Sequence, residues 1–289
     1  MASKEEKIIA ALCTGDEEQF LLVRTGELLG RAENGVTAVS DFLNLGEQYL
    51  CRRYLDACGR HEGSDYAFYG GYPSAERRLL FCFPDYLAQM LSAENGEEGQ
   101  DIVGTRVVSA CEDEEAVTAF SVSGSGYKKL GHRDYLGALL SLGVERRVIG
   151  DIAVLDDAHA VVFCRPQIAG FLSDNLDRIG ADKVHIAAVS GEERMAVPDT
   201  RQFTRITETV ASLRLDGVVA ALAGLSREKA KEAVTGGLTE LDFRVTVSPD
   251  TEVTPGAYLS VRGVGRFIFE GTDGTSKKGR LRIHAKKFI

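Results

Sequence analysis

Lys278, Arg280, Arg282, His284 and Lys286 occupy every second position of the segment K-G-R-L-R-I-H-A-K. A strand has period two, so these five side chains would leave one face while Leu281, Ile283 and Ala285 leave the other. A row of cations at that spacing does one kind of chemistry, the neutralisation of a polyanion. Upstream, Ser226 is placed to cap a helix whose first turn offers free backbone N–H groups and the positive end of a dipole. Arg227 and Lys231 lie four apart on that helix and share a face, with Ala230, Ala233 and Val234 on the buried side. Arg262 and Arg266 are expected on one face of a later strand. With Arg214, Lys277 and Lys278, the residues expected to meet phosphate are Arg214, Ser226, Arg227, Lys231, Arg262, Arg266, Lys277, Lys278, Arg280 and Arg282.

The charge balance points the same way. From Thr209 to the C-terminus there are 13 Lys and Arg against 9 Asp and Glu, whereas residues 1–208 carry 21 against 34. A sign reversal between segments of one chain marks a polyanion-facing end, and the acidic remainder would limit non-specific binding and offer a face to a protein partner. Six cysteines (Cys13, Cys51, Cys58, Cys82, Cys111, Cys164) are scattered, several inside apolar runs, with no pair at zinc-ligand spacing. They read as small buried hydrophobes in a reducing compartment, and no metal or other cofactor is expected. No apolar run approaches the roughly 18 residues that cross a bilayer, and the N-terminus lacks a signal-peptide pattern. A cytoplasmic protein without a membrane partner is expected.

The elements that must position these residues fall into segments: a helical region at 1–75, a central domain at 76–190, a linker at 191–208 and the basic module at 209–289. Apolar spacing predicts helices through residues 3–58, broken at Gly30 and Asn34-Gly35, with an N-cap at Asp41. Gly59 to Pro73 reads as a connection. Strands are expected at Leu79–Phe83, Thr105–Ala110, Ala116–Val122, Asp151–Leu155, Ala160–Cys164 and Lys183–Val189. Helices are expected at 132–142 and from Pro166 to Ile179, capped by Gly180. That order gives an α+β fold with a sheet covered on one face by two helices. Acidic stretches at Glu94–Asp101 and Cys111–Glu115 read as solvated loops. Beyond the linker, helices 213–223 and 227–234 precede strands, with an Asp273-Gly274 hairpin joining Arg266–Glu270 to Gly279–His284.

Four blocks in order, Ser212-Leu-Arg-Leu-Asp216, Leu225-Ser-Arg-Glu-Lys-Ala-Lys231, Gly236-Gly-Leu-Thr-Glu-Leu-Asp242 and Gly256-Ala-Tyr-Leu-Ser-Val-Arg-Gly263, resemble the S-four (αL) RNA-binding domain. Three positions depart from its pattern. Asp242 stands where many members have Asn, Glu240 where a basic residue is common, and Ala257 where Asp is frequent. A carboxylate repels phosphate, so the 239–244 loop is expected to contribute little. With Leu130-Gly-His-Arg-Asp-Tyr-Leu-Gly-Ala-Leu-Leu140, Ile149-Gly-Asp-Ile152 and Ser260-Val-Arg-Gly-Val-Gly-Arg-Phe267, the chain resembles the YlmH family over residues 78–289. That resemblance implies a helical N-terminal region, a central RRM-like α/β sandwich domain and a C-terminal S-four domain with a basic β-hairpin. It also implies a non-catalytic, ribosome-associated protein that binds rRNA of the large subunit and tRNA during quality control of stalled translation, with a link to cell division.

The alternative is an RNA-modifying enzyme, a pseudouridine synthase or methyltransferase, targeted by the same module. Arg214-Leu-Asp216 has the letters of a pseudouridine synthase motif, and Ser123-Gly-Ser-Gly126 precedes Gly131-His-Arg-Asp134. No catalytic set assembles from these residues. His132, Arg133, Lys128 and Lys129 could instead form a second RNA-facing patch, or His132 could simply start a helix. The central domain's phenylalanines, Phe81, Phe83 and Phe163, sit among aliphatics and are expected in the core rather than stacked on bases.

Overall fold

The computed structural model describes residues 3–92, 107–112, 115–276 and 279–289. Contacts divide the chain into two units, residues 1–200 and 201–289. None of the described helices is long and apolar enough to cross a membrane.

The first unit starts with α1 (Lys4–Leu12) and α2 (Asp16–Glu33), then β1 (Ala38–Val39) and α3 (Leu45–Ala57). Ser3 and Asn44 each close a capping box with a glutamate three residues on, Glu6 and Glu47. The cap of α3 is therefore Asn44, not Asp41, because residues 41–43 stay extended against Arg78. Gly30 does not break α2, which runs on to the left-handed Gly35. The connection expected at 59–73 contains β2 (Tyr66–Tyr69), every residue of which is buried. It pairs with β3 (Leu79–Cys82), whose other edge takes β1. After α4 (Asp85–Ser92), the strand expected at Thr105–Ala110 is replaced by helix over residues 107–112, here α5; Thr105 and Arg106 lie outside the described residues, as does Glu94–Asp101. Cys111 stands four residues after Val107 and three after Val108, so all three share one helical face and meet the core, which overrides the β-propensity of valine.

The central sheet is built from β4 (Thr118–Ser123), α6 (His132–Ser141), β5 (Ile149–Val154), β6 (His159–Cys164), α7 (Pro166–Asn175) and β9 (His185–Ala188), with strand order β5-β6-β4-β9. This βαββαβ arrangement is the split-βαβ pattern. Tyr135 and Leu139 of α6 and Leu172 of α7 cover one face, packing on Phe120, Val122, Val162 and Cys164. The other face is covered too: Ala119, Val161 and Phe163 pack against Phe42, Tyr69, Tyr72 and Phe81. Helix α7 stops at Asn175, short of the expected Ile179. Asn175 turns its amide onto the Phe171 carbonyl at 2.7 Å, and Gly180 instead turns a small hairpin of β7 (Arg178–Ile179) and β8 (Asp182–Lys183). A short α8 (Gly191–Met195) follows, capped by Ser190.

The second unit opens with β10 (Phe203–Val210), in the stretch read as a linker. All of its residues, Phe203 to Val210, pair one for one with β15 (Leu281–Phe288). Helices α9 (Leu215–Ala223) and α10 (Arg227–Thr235) pack on a sheet ordered β10-β15-β14-β13-β11-β12. Its remaining strands are β11 (Thr239–Leu241), β12 (Arg244–Val245), β13 (Tyr258–Val261) and β14 (Gly265–Thr275). Gly224 ends α9 in the left-handed region, where glycine avoids the Cβ penalty. The core joins Val218, Val219, Ala230 and Val234 to Phe267, Phe269, Ile283 and Ala285. The hairpin does not turn at Asp273-Gly274. Those residues lie within β14 at a register shift, and the connection to β15 falls beyond Thr275, where Gly279 N–H donates to Ser276 O.

Candidate nucleic-acid interface

Asp216 is the pivot of the basic module. It sits in the first turn of α9 and is only 4% exposed. Arg214 donates to it through Nε at 3.3 Å and Nη2 at 3.4 Å, and Arg227 of α10 donates through Nη2 at 3.2 Å. Burial raises the Asp216 carboxyl, but the Arg214 hydrogen bond and the charges of both arginines outweigh it and hold it below the ordinary carboxylate range. Two guanidinium groups thus share one carboxylate and remain half-exposed, leaving a net positive charge at the joint between the helices.

Ser226 caps α10, its hydroxyl accepting from Lys229 N at 3.2 Å. Lys231 is exposed on the same helix. Arg262 does not share a strand with Arg266: it lies in the turn between β13 and β14, exposed, because Val261 pairs with Gly265 and leaves 262–264 to turn. Lys231 and Arg262 have no carboxylate partner among the described residues. Arg266 lies on β14 with its guanidinium 4.8 Å from the Phe288 ring centre, a cation–π contact.

The alternation expected on β15 is present. Ile283 and Ala285 are fully buried, and Arg282, His284 and Lys286 face away from the core. Part of that charge is compensated in place. Asp273 lies 2.9 Å from His284 Nε2 and 3.7 Å from Arg282 Nη1, and Glu270 meets Lys286 at 2.6 Å. The bond from His284, then the charges of His284 and Arg282, hold the Asp273 carboxyl below its usual range. Arg280 donates to the Thr209 carbonyl at 2.7 Å. Lys277 and Lys278 lie outside the described residues. A groove of about 820 Å³ runs beside these groups, lined among others by Thr209, Gly217, Ala220 and Ala221, with Arg227 and Arg280 among its walls. Reading 191–208 as a linker hid one further cation: Arg205 on β10 stands opposite Lys286 on the same sheet face. The β-branched content of residues 203–210, with Thr204, Ile206, Thr207, Thr209 and Val210, was the signal for it.

The loop whose carboxylates counted against RNA has a structural use for one of them. Asp242 and Phe243 both take positive φ, 50° and 64°, the signature of a two-residue type I′ hairpin turn between β11 and β12. Asp242 Oδ1 accepts from Tyr258 N at 2.9 Å. Glu240 remains exposed beside it.

The enzyme alternatives lose their candidate groups. Asp216 is buried and doubly paired, so it cannot reach a substrate as a nucleophile. The Gly124 and Ser125 N–H groups of the Ser123–Gly126 loop are already engaged: Gly124 N donates to Ala158 O, and Ser125 donates through both N and Oγ to the buried Asp182. His132 occupies the first turn of α6 behind Gly131. Burial and the nearby charge of Arg146 lower its pKa, which disfavours its charged form. Among the described residues no three His, Cys, Asp or Glu side chains could hold a metal ion. Cys51, Cys82 and Cys164 are buried, with thiols pushed up to about 12 by burial, as inert core residues should be.

Comparison with known proteins supplies independent information. Residues 116–193, the central βαββαβ sheet with its two helices, match the family model described as "Putative RNA-binding domain in YlmH". The "Ribosome-associated protein quality control protein P2" of Bacillus subtilis (strain 168) is 29% identical over 255 residues, covering 85% of both chains. The solved "Cell division protein ylmH from Streptococcus pneumoniae" is 16% identical and aligns with 63% of this chain and 97% of its own at a TM-score of 0.45. The family-model match over residues 116–193 and the long curated relative agree: the chain is similar to YlmH-type RNA-binding proteins, and the match to the RNA-binding domain covers its central sheet.

Proposed function

We propose that this chain is a non-catalytic factor that binds rRNA of the large ribosomal subunit and adjoining tRNA, in ribosome-associated quality control or rescue of stalled translation. The observation that carries the reading is the arrangement of cations on the second unit. Arg214 and Arg227 share a single buried carboxylate, Lys231 and Arg262 have none among the described residues, and Arg227 and Arg280 line one groove. Such a face grips folded RNA by its phosphates and shape rather than by base edges. The name of the B. subtilis relative supports the ribosomal setting. Within this reading Ser226 holds the helix start that presents Arg227 and Lys231, while Arg266, Lys277, Lys278 and Arg282 extend the phosphate-facing surface. The acidic first unit is left to face a protein partner, and the protein works in the cytoplasm. Sucrose-gradient sedimentation of the full chain with separated subunits tests this directly. Co-migration with the large subunit is expected; co-migration with the small subunit alone, or none, contradicts it.

A further inference from the structure

The central sheet of an RRM binds RNA by stacking bases on aromatics of its two middle strands. Here those strands are β4 and β6, and the face that would serve is closed. Phe163 lies under Tyr72 with ring centres 4.5 Å apart and planes 16° from parallel, and both rings are buried. Whatever RNA this domain reads must be read elsewhere.

One aromatic side chain stands ready. Tyr127, in the loop between β4 and α6, is 98% exposed, more than any other aromatic among the described residues. The loop beneath it is firmly tied. Gly124 N donates to Ala158 O at 2.7 Å, Leu130 N to Asp157 O at 2.8 Å, and Ser125 grips the buried Asp182. Leu130 is buried, and Tyr127 N donates back to Ser125 Oγ at 3.2 Å. An ordered loop that holds a bare ring in solvent gains nothing for stability from that ring. Lys128 and Lys129 follow it. Their ion pairs, with Asp134 at 3.8 Å and Asp157 at 2.6 Å, are exposed, and such pairs are readily exchanged for a phosphate.

We propose that Tyr127 is a base-stacking platform for an unpaired RNA nucleotide, with Lys128 and Lys129 at its flanking phosphates. The proposal rests on RNA being the partner of this protein, and it moves the central domain's RNA contact from the sheet face to the β4–α6 loop. A ring of this kind accepts any base, because every base has a π face, so the site selects unpaired nucleotides rather than a sequence.

The test uses the full chain and two fluorescently labelled RNAs with the same stem, one closed by an unpaired loop and one a blunt duplex. Tyr127→Ala is expected to weaken binding of the looped RNA about tenfold, while Tyr127→Phe retains it and duplex binding is unchanged for both. Lys128→Ala with Lys129→Ala should lower the slope of log K against log salt by about 1.4. Because Tyr127 is 98% exposed, thermal unfolding of its variants should match wild type. Wild-type affinity of Tyr127→Ala for the looped RNA overturns the proposal. So does loss of ribosome co-sedimentation with naked-RNA binding intact, which would mean a protein contact at this tip. Lys231→Glu with Arg262→Glu separates the two readings. If that variant loses RNA while Tyr127→Ala does not, only the stacking site fails; if the wild type binds neither RNA, both fail.

Discussion

Asp216 holds the charged ends of α9 and α10 together, and its removal leaves two half-buried arginines facing each other. Asp216→Ala should destabilise the second unit by about 1–3 kcal/mol, the cost of charged hydrogen bonds lost at a buried acceptor. Denaturant titration of the full chain measures this, and an unchanged midpoint for the second unit would contradict the clamp. The pH dependence has a definite sign. The folded pKa of Asp216 lies below the unfolded value of 3.8, so its contribution is present in full above that value. It fades as pH falls below 3.8 through the folded pKa. The stability gap between wild type and Asp216→Asn should therefore be constant from pH 5 to 7 and shrink only in stronger acid. Sequence made part of this visible. Pairing of Asp216 with Arg214, two residues away, follows from proximity along the chain, whereas Arg227 reaches Asp216 only because α9 and α10 fold back on each other.

At the scale of elements, those with a local cause were the easiest to read. Helix α10 was legible in Ser226, Arg227 and the spacing of Ala230 and Val234, and Ser226→Ala should cost about 1 kcal/mol by leaving Lys229 N without its cap. Circular dichroism thermal melts would show it as a lower midpoint for the second unit. The Gly124 site is tighter: a Cβ there would sit 2.8 Å from Asp182 Oδ2 and 2.9 Å from Leu130 Cδ1. Gly124→Ala is expected to destabilise the first unit by about 1–3 kcal/mol and to loosen the Tyr127 loop. Hydrogen exchange at Ser125 and Leu130 no faster than in wild type would contradict that. The elements that were missed depend on distant partners. β10 reads as a linker until β15 supplies its register, and the buried run Tyr66–Tyr69 reads as a turn region until β3 lies beside it. The hairpin turn was misplaced because Asp273-Gly274 is a common turn dipeptide, here used as a bulge that brings Asp273 to His284.

For the whole molecule, the charge reversal at the second unit sets behaviour that no single contact does. The first two hundred residues carry the acidic excess, and the C-terminal face carries cations that are only partly compensated. Structure narrowed the alternating strand that signals this in the sequence: Asp273 and Glu270 answer three of its basic side chains, so Lys231, Arg262 and the half-exposed Arg214 and Arg227 carry more of the expected binding. That redistribution could not be read from composition, because it depends on which strands adjoin. Binding governed by phosphate neutralisation must weaken with salt, and each lost contact must flatten the dependence. The most direct test is the affinity of the full chain for purified large ribosomal subunits across a potassium chloride series, wild type against Lys231→Ala with Arg262→Ala. The account predicts weaker binding at every salt concentration and a slope of log K against log salt reduced by about 1.8. Equal affinity and an equal slope for the two proteins would contradict it.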